Sequence, residues 1–265
     1  MILLWIFIFV VLCYVVWSRD DRIVFVEPPE FQYTAIDESY FRNMSVVDLR
    51  VRNTRSGNEY RMIYRAGLRA WNDRLRMRVT TAVRAARRMA RAAGHGDLLR
   101  GDLKYALQSD HIENGYPHTM GDTTIFSEST ILGSSPAELV WLVIHEAVHV
   151  WQRSHPRACD EIYRRWGITR DPAFVNPLGR NNPDTNSPAE FFYIGGVPVG
   201  LIYQPDAAHL GDVVHVRADT MQPVTAEQLG LTAGPMQFDH PNEIMAYEFA
   251  NRITGTAAAS PALQN

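Results

Sequence analysis

Cysteine is scarce in this sequence, which excludes two kinds of structural site. Of 265 residues, only Cys13 and Cys159 are cysteines. Cys13 lies inside an apolar N-terminal run, whereas Cys159 stands alone in the rest of the chain. We therefore expect neither a disulfide framework nor a zinc site built on thiolates.

The sequence also lacks a marked excess of positive or negative charge. The formal net charge is −3 and the chain carries no nucleic-acid-binding motif, so we expect no nucleic acid partner. Charge is nevertheless unevenly distributed, because fourteen arginines and only three acidic residues lie between Arg50 and Arg100. With 46% hydrophobic and 21% charged residues, the chain is long and apolar enough to bury a core.

The first 17 residues contain no charged side chain. A helix of this length spans about 25 Å, which is within the range of transmembrane segments. Since a basic leading region and a small-residue cleavage site are both missing, the run is typical of an uncleaved anchor. We predict a single-pass transmembrane anchor over residues 1–18 and a membrane location, with a bacterial envelope favoured. The side of the membrane stays open, because the positive-inside rule and the usual export of anchored catalytic domains disagree.

Beyond the anchor, the pattern predicts an extended linker, an α+β domain and a disordered tail. The linker covers residues 19–57, the domain residues 58–254 and the tail residues 255–265. Residues 58–94 are arginine-rich and strongly helix-forming, as one long helix or two shorter ones. Prolines and asparagines make residues 171–196 mostly loop. Short strands are expected at residues 104–108, 123–126, 197–203 and 212–216.

The best-defined helix begins at Ser135-Pro136. Ser135 is a favoured capping residue, Pro136 suits the first helical position, and Glu138 completes a capping box. The helix continues as AELVWLVIHEAVHVWQR, which is apolar on almost every side and is therefore expected to be buried. A small sheet packed on this helix is expected to complete the fold.

This helix carries a His-Glu-x-x-His pattern, which predicts a metal site. His145 and His149 are one helical turn apart on one face, where two imidazoles can bind a single zinc ion. Glu146 is turned about 100° from His145 and lies beside the metal, where it can take a proton from an activated water molecule. Burying these three groups is costly unless a metal or a polar network compensates. We therefore expect Zn²⁺ as the cofactor.

One candidate for a third metal ligand lies close by in the sequence. His155 follows His149 at the six-residue separation found in metzincins. Those proteins have a glycine where this chain has Gln152, because their backbone leaves the helix in a sharp turn. If the helix continues instead, His155 points about 240° away from His149 and is more simply a residue of the helix end.

A second candidate comes from a resemblance to a known family. HEAVH, followed on another predicted helix by Asn242-Glu243-x-x-Ala246, resembles the arrangement of gluzincin metallopeptidases. IHEAVHVWQ is also similar to small bacterial gluzincin domains, including those carried by contractile injection systems. The likeness covers about residues 115–155 and 238–252. It implies a zincin-like fold with Glu243 as the third ligand, and Glu248 as an alternative that faces differently.

The resemblance also implies an activity, that of a zinc-dependent peptidase acting on protein or peptide substrates with Glu146 as general base. Tyr247 occupies the position where thermolysin-like members have an aspartate. An oxyanion stabiliser is expected among four residues, which are Tyr247, His209, His215 and His240.

Two other functions stay open for this chain. One is a catalytically silent, membrane-tethered scaffold that kept the fold, and the other is an interaction module that uses the arginine-rich helices. Those helices can contact anionic lipid or an acidic partner. The ordinary interpretation is a solvated face, or a face packed against the acidic remainder of the chain.

Overall fold

The computed structural model describes residues 22–33, 35–185, 189–231 and 238–256. In these ranges, eight α-helices and nine strands form an α+β fold with two sheets. The helices are α1 (Ala35–Arg42), α2 (Val46–Val51), α3 (Gly57–Ala66), α4 (Asp73–Ala92), α5 (Glu128–Gly133), α6 (Pro136–Ser154), α7 (Pro156–Arg165) and α8 (Pro241–Thr254). The strands are β1 (Ile23–Phe25), β2 (Leu68–Arg69), β3 (Leu103–Gln108), β4 (His118–Met120), β5 (Thr123–Ser127), β6 (Ile168–Val175), β7 (Glu190–Ile194), β8 (Val197–Tyr203) and β9 (Val213–Arg217).

The first sheet separates two apolar clusters. Its order is β1-β3-β5-β4, with β1, β3 and β5 parallel and β4 antiparallel at the edge, while β2 pairs with β3. Successive side chains of a strand point to opposite faces. Tyr105 and Leu107 of β3 therefore join the larger cluster, whereas Ala106 between them joins the smaller one.

Helices cover both faces of this sheet. The larger cluster holds the apolar sides of α4, α6 and α8, including the buried Val83, Ile144 and Met245. The smaller cluster lies on the opposite face, where Phe41 of α1 and Tyr64 of α3 are buried. The sheet thus separates α4 and α6 from α1 and α3.

The second sheet is antiparallel throughout, in the order β6-β7-β8-β9. The chain between β6 and β7 is fastened to β8, because Asn176 donates to the Leu201 carbonyl at 2.9 Å and Tyr203 N–H donates to the Leu178 carbonyl at 2.9 Å. These hydrogen bonds fix the start of the loop of residues 176–185. This loop extends to the helices that pack on the first sheet.

The predicted extended linker is wrong, because most of residues 19–57 are folded. β1 pairs with β3 at Ile23 and Leu103, and α1 and α2 follow. The sequence contained a signal for α2, since Ser45 and Asp48 form a capping box of the kind recognised at α6. The tyrosines and Phe41 of this segment bury against the sheet, which local pattern alone did not reveal.

Several other sequence predictions can be compared with the elements. The arginine-rich region forms two helices, α3 and α4, separated by β2, and the four predicted strands correspond to β3, β5, β8 and β9. The loop prediction for residues 171–196 is wrong at both ends, which belong to β6 and β7. Its prolines lie largely between these strands.

The predicted membrane anchor, residues 1–18, lies outside the described residues, as does the predicted tail from residue 257 onwards. Among the helices that the structure describes, none combines the length and the apolarity needed to cross a membrane.

The arginines of α4 divide into two groups. Arg87 is buried and donates to the carbonyls of Leu99 at 3.0 Å and Gly101 at 2.8 Å, and Arg78 donates to the Ser134 carbonyl at 2.6 Å. These side chains therefore hold neighbouring segments in place. The exposed arginines of the helix are Arg74, Arg84, Arg88 and Arg91.

Candidate metal centre

The helix that carries the His-Glu-x-x-His pattern, α6, begins as predicted. Ser135 Oγ accepts from Glu138 N–H at 3.2 Å, and the Glu138 carboxylate accepts from Ser135 N–H at 2.7 Å. This capping box fixes the first turn, and the apolar sides of the helix pack into the larger cluster. The polar residues of the pattern are consequently carried into the interior on a rigid element.

The second helix of the site, α8, begins at Pro241. His240 caps it, with Nδ1 accepting from Asn242 N–H at 3.0 Å, and Glu243 lies in the first turn, where the helix dipole stabilises a negative charge. Ala246 and Ala250 are fully buried, and their small side chains allow α8 to pack closely on α6. The two helices therefore meet with Glu243 facing the pattern.

His145, His149 and Glu243 come together as a buried group that can hold a metal ion. The two Nε2 atoms are 3.1 Å apart. His145 Nε2 lies 3.3 Å from Glu243 Oε2, and His149 Nε2 lies 3.4 Å from Glu243 Oε1. The three side chains thus direct their ligand atoms towards one point.

These distances match the edges of a metal coordination tetrahedron. Ligand atoms at about 2.0–2.1 Å from a tetrahedral ion lie roughly 3.3 Å from one another. The two Nε2 atoms are 3.1 Å apart, and each lies 3.3–3.4 Å from a different oxygen of the Glu243 carboxylate, so all three separations are close to that value. The residues present fit a divalent metal.

Gln152 fixes the proton on His149. The Gln152 amide Nε2 donates to the Asn242 carbonyl at 2.9 Å, so its Oε1 must accept, and it lies 3.0 Å from His149 Nδ1. His149 Nδ1 therefore carries the hydrogen, and the Nε2 lone pair of the neutral ring faces the ligand group. From the sequence, Gln152 was noted only as a departure from the metzincin glycine.

Asn182 holds Glu243 from the other side. Its Nδ2 donates to Glu243 Oε1 at 2.8 Å. Asn182 belongs to the loop of residues 176–185, which the sequence did not connect with the site. No short-range signal could have done so, since the two residues are 61 positions apart.

Burial and neighbouring charge set the protonation of the group. Burial lowers the pKa of His145, whereas the carboxylates of Glu243 and Asp184 outweigh burial at His149 and raise its pKa to about 10. The pKa of Glu243 is held well below its usual range, since the two imidazoles outweigh burial. Without a metal, a protonated His149 therefore pairs with the negative carboxylate of Glu243, while His145 is neutral.

Glu146 lies beside the ligand group and is not part of it. Its side chain is buried, and Oε2 receives no hydrogen bond. Burial, reinforced by the nearby negative charge of Asp184, raises the pKa of Glu146 well above its usual range. A carboxyl group in this position can accept and release a proton.

The group opens onto a cavity of about 230 Å³. His145, Glu146 and Glu243 line it. The ring of Trp141 stacks on His145 with centroids 4.9 Å apart, and the Tyr247 ring meets His145 edge-on at 4.8 Å. The remaining lining residues are Glu113, Tyr116, Pro117, His118, Leu142, Arg180, Asn181, Asn182, Pro183, Asp184 and Leu210.

The other residues named from the sequence lie apart from the ligand group. His155 ends α6, is exposed and stacks on Trp151, so the metzincin alternative fails. Glu248 is buried and pairs with Arg252 at 3.5 Å. None of His209, His215 and His240 lines the cavity, which leaves Tyr247 as the named oxyanion candidate that does.

The loop that bears Asn182 is held by the N-terminal helices. Asn181 N–H donates to Asp48 Oδ1 at 3.2 Å, and the Asn181 carbonyl accepts from Arg52 at 3.3 Å. Arg52 is itself bound to both oxygens of Glu113, at 3.1 and 2.9 Å. The segment once expected to be a linker is thus connected to the metal ligand through the loop.

In the described part of the chain, His145, His149 and Glu243 therefore form a buried group that could hold a metal ion and that faces a cavity. Comparison of the chain with protein-family models, with curated proteins and with solved structures finds no match.

Proposed function

We propose that this protein is a zinc-dependent peptidase with a zincin-like fold and a gluzincin-type ligand set. One observation carries the proposal, namely that two Nε2 atoms and a carboxylate meet at tetrahedral spacing beside a buried carboxyl that is not a ligand. Two histidines and one glutamate are typical ligands of catalytic zinc, in sites that keep a further position for water or substrate.

Zinc is the metal best suited to this donor set. Two imidazoles and one carboxylate in a tetrahedral arrangement favour zinc over calcium or magnesium, which prefer six or more oxygen ligands. When bound, zinc would polarise the scissile carbonyl and lower the pKa of a water molecule.

The side chains around the ligands have separate roles in hydrolysis. Glu146 takes the proton of the attacking water and passes it to the leaving amine, because its unpartnered Oε2 lies beside the ligand group. Tyr247 lines the same cavity one helical turn after Glu243 and can donate its hydroxyl to the developing oxyanion. His145 is held between Trp141 and Tyr247, which orients its ring.

A silent scaffold is the competing function. A purely structural zinc site closes with four protein ligands, whereas the group here has three and opens onto a cavity. A scaffold would also gain nothing from keeping Glu146 buried without a hydrogen bond at Oε2, which destabilises the fold.

Metal analysis and peptide hydrolysis together test the proposal. We expect one zinc per chain in the purified protein, lost in His149→Ala and in Glu243→Gln but kept in the control Glu248→Gln. Glu146→Gln should retain zinc and lose activity on a casein-derived peptide mixture by at least about a hundredfold. Zinc without any hydrolysis in the unmodified protein favours the scaffold, and a chain that binds no zinc contradicts both functions.

A further inference from the structure

Asp184 is a buried carboxylate in the wall of the same cavity. It is 5% exposed, and no motif in the sequence singles it out. Its backbone is fixed on both sides, because its N–H donates to Asn182 Oδ1 at 2.9 Å and its carbonyl accepts from Asn242 at 3.4 Å. The position of the carboxylate relative to the metal ligands is therefore set by two residues that also contact the site.

Among the described residues, hydrogen-bond donors reach only one oxygen of the Asp184 carboxylate. Thr119 donates to Oδ1 twice, through its N–H at 2.7 Å and its hydroxyl at 2.7 Å. In the described chain no hydrogen bond reaches Oδ2, although a carboxylate can accept about four. Oδ2 is not among the fully buried unpaired atoms of the described residues, and Asp184 lines the cavity, so this oxygen is accessible to a ligand there.

Two arginines close to this wall donate their hydrogen bonds to groups other than Asp184, although the charge of Arg153 does interact with the Asp184 carboxylate. Arg153, behind Thr119, donates to the carbonyls of Thr119, Gly121 and Pro183 at 2.9–3.1 Å. Arg180, which also lines the cavity, pairs with Asp239 at 2.8 Å. The lining residues of the cavity include four carboxyl groups, those of Glu113, Glu146, Asp184 and Glu243, against one arginine, Arg180. The wall around Asp184 is consequently suited to a positive group.

We propose that Asp184 binds a cationic group of the substrate through Oδ2, so that the enzyme acts on peptides with a positive charge close to the scissile bond. This inference rests on the proposed peptidase function. The cation is an ammonium or guanidinium, which comes either from a free peptide N-terminus or from a lysine or arginine side chain. The cavity of about 230 Å³ is below the roughly 300–1,000 Å³ of pockets that enclose drug-sized ligands, so only a small part of a peptide enters it.

Hydroxamates of single amino acids provide probes that bind zinc and are independent of turnover. One pair, leucine hydroxamate and N-acetyl-leucine hydroxamate, differs in the free ammonium group. A second pair, the hydroxamates of N-acetyl-lysine and N-acetyl-norleucine, differs in the side-chain charge. Titration calorimetry on the zinc-loaded full chain gives the Kd of each, in the unmodified protein and in Asp184→Asn.

The charged member of one pair should bind the unmodified protein about ten- to a hundredfold more tightly than its neutral partner, as a charged hydrogen bond predicts. The pair that shows this preference identifies the source of the cation. In Asp184→Asn, which keeps the Oδ1 acceptor for Thr119, the preference should disappear while the neutral probe binds unchanged. Asp37→Asn is a matched control, because Asp37 is equally buried, accepts from Gly121 N–H at 2.7 Å and does not line the cavity.

Three results would overturn this inference. They are equal binding of charged and neutral probes to the unmodified protein, an unchanged preference in Asp184→Asn, and a loss of preference in Asp37→Asn as well. If no hydroxamate binds although zinc is present, the zinc has no position open to an added ligand. The proposed peptidase function is then wrong, and so is the role of Asp184.

Discussion

At the scale of single residues, the metal centre depends on side chains that touch the ligands and are not ligands themselves. Gln152 directs the His149 lone pair inwards, and Asn182 holds one oxygen of Glu243. Such outer partners typically change metal affinity by 10–100-fold. The three side chains that could hold a metal ion are therefore kept in place by their neighbours.

Replacing Gln152 by leucine tests this arrangement. The variant keeps the size of the side chain and removes the acceptor for His149 Nδ1, so the ring loses its fixed tautomer. We expect the Kd for zinc, measured by competition with a chelator, to rise roughly tenfold or more. The change should exceed that of His155→Leu, which alters an exposed residue at the end of the same helix. Equal effects of the two variants would contradict the role of Gln152.

The sequence predicted the part of the site that is local. His145 and His149 share a face because four residues make about one helical turn, and Glu146 follows from the same geometry. Glu243 required a resemblance, since nothing in α6 indicates which helix packs on it. Asp184 and Asn182 were missed because their roles arise from a loop that meets the site only in three dimensions.

At the scale of elements, α2 and the turn before β4 are joined by a buried ion pair. Arg52 binds both oxygens of Glu113 and also Asp48 at 3.1 Å, and Tyr60 donates to Glu113 at 2.7 Å. Glu113 has a backbone φ of 46°, in the left-handed region that non-glycine residues rarely adopt. The ion pair stabilises this turn against its strain.

Glu113→Gln should destabilise the protein by about 3–5 kcal/mol, because it leaves Arg52 buried without its main partner. Urea unfolding measures the loss. Glu128→Gln, on the exposed first turn of α5, is the comparison and should change stability by less than about 1 kcal/mol. Similar losses in the two variants would show that the ion pair does not stabilise the fold.

Low pH should weaken the ion pair between Arg52 and Glu113. Burial acting alone would raise the pKa of Glu113, but Arg52 and the hydrogen bonds outweigh it and lower the pKa to about 2. A carboxyl whose pKa is lower in the folded chain stabilises it fully above its unfolded pKa, near 4.5, and loses this effect as the pH falls towards 2. The stability difference between the unmodified protein and Glu113→Gln should therefore shrink between pH 5 and pH 2 in urea titrations. A difference independent of pH would contradict this assignment.

Element prediction succeeded where the sequence has a local period or a cap. The capping box at Ser135 and the spacing of apolar residues in α4 are of this kind. It failed for α1, whose role is to cover the far face of the first sheet with Phe41. The burial of Phe41 depends on which strands are neighbours in the sheet, and the local sequence pattern does not reveal the strand order.

At the scale of the whole molecule, the chain enters the fold beside the arginines of α4. Arg22, the first described residue, lies five positions after the end of the uncharged run of residues 1–17, and its carbonyl accepts from Arg87 at 3.4 Å. The exposed Arg84, Arg88 and Arg91 lie within about one turn of Arg87 on that helix. If the N-terminal run enters a bilayer, this helix lies close to the lipid headgroups.

Spin labelling can measure whether α4 lies close to lipid headgroups. A nitroxide at residue 81, on the exposed side of α4, should be less accessible to a nickel relaxation agent on vesicles containing phosphatidylglycerol than on pure phosphatidylcholine. High salt should remove the difference, because such contacts are screened. Cysteines 13 and 159 are replaced by alanine for the labelling.

Two variants, each with three arginines changed to glutamine, distinguish lipid contact by α4 from an effect of the overall positive charge. Arg84, Arg88 and Arg91 are changed together in one of them, which should abolish the lipid dependence. The other changes exposed arginines on the opposite side of the first sheet, namely Arg42, Arg50 and Arg55. If both variants behave alike, or if the label does not respond to lipid charge, α4 does not face a membrane.

The pairing of Ile23 with Leu103 determines how far the N-terminus can be shortened for recombinant expression. β1 is an edge strand of the first sheet, and the helices that follow it hold the loop with Asn182. A truncated gene that starts at residue 58, where the sequence pattern alone places the start of the domain, would expose Ala106 and Ile125 to water and yield an insoluble product. Cloning from residue 22 onwards keeps every strand of that sheet.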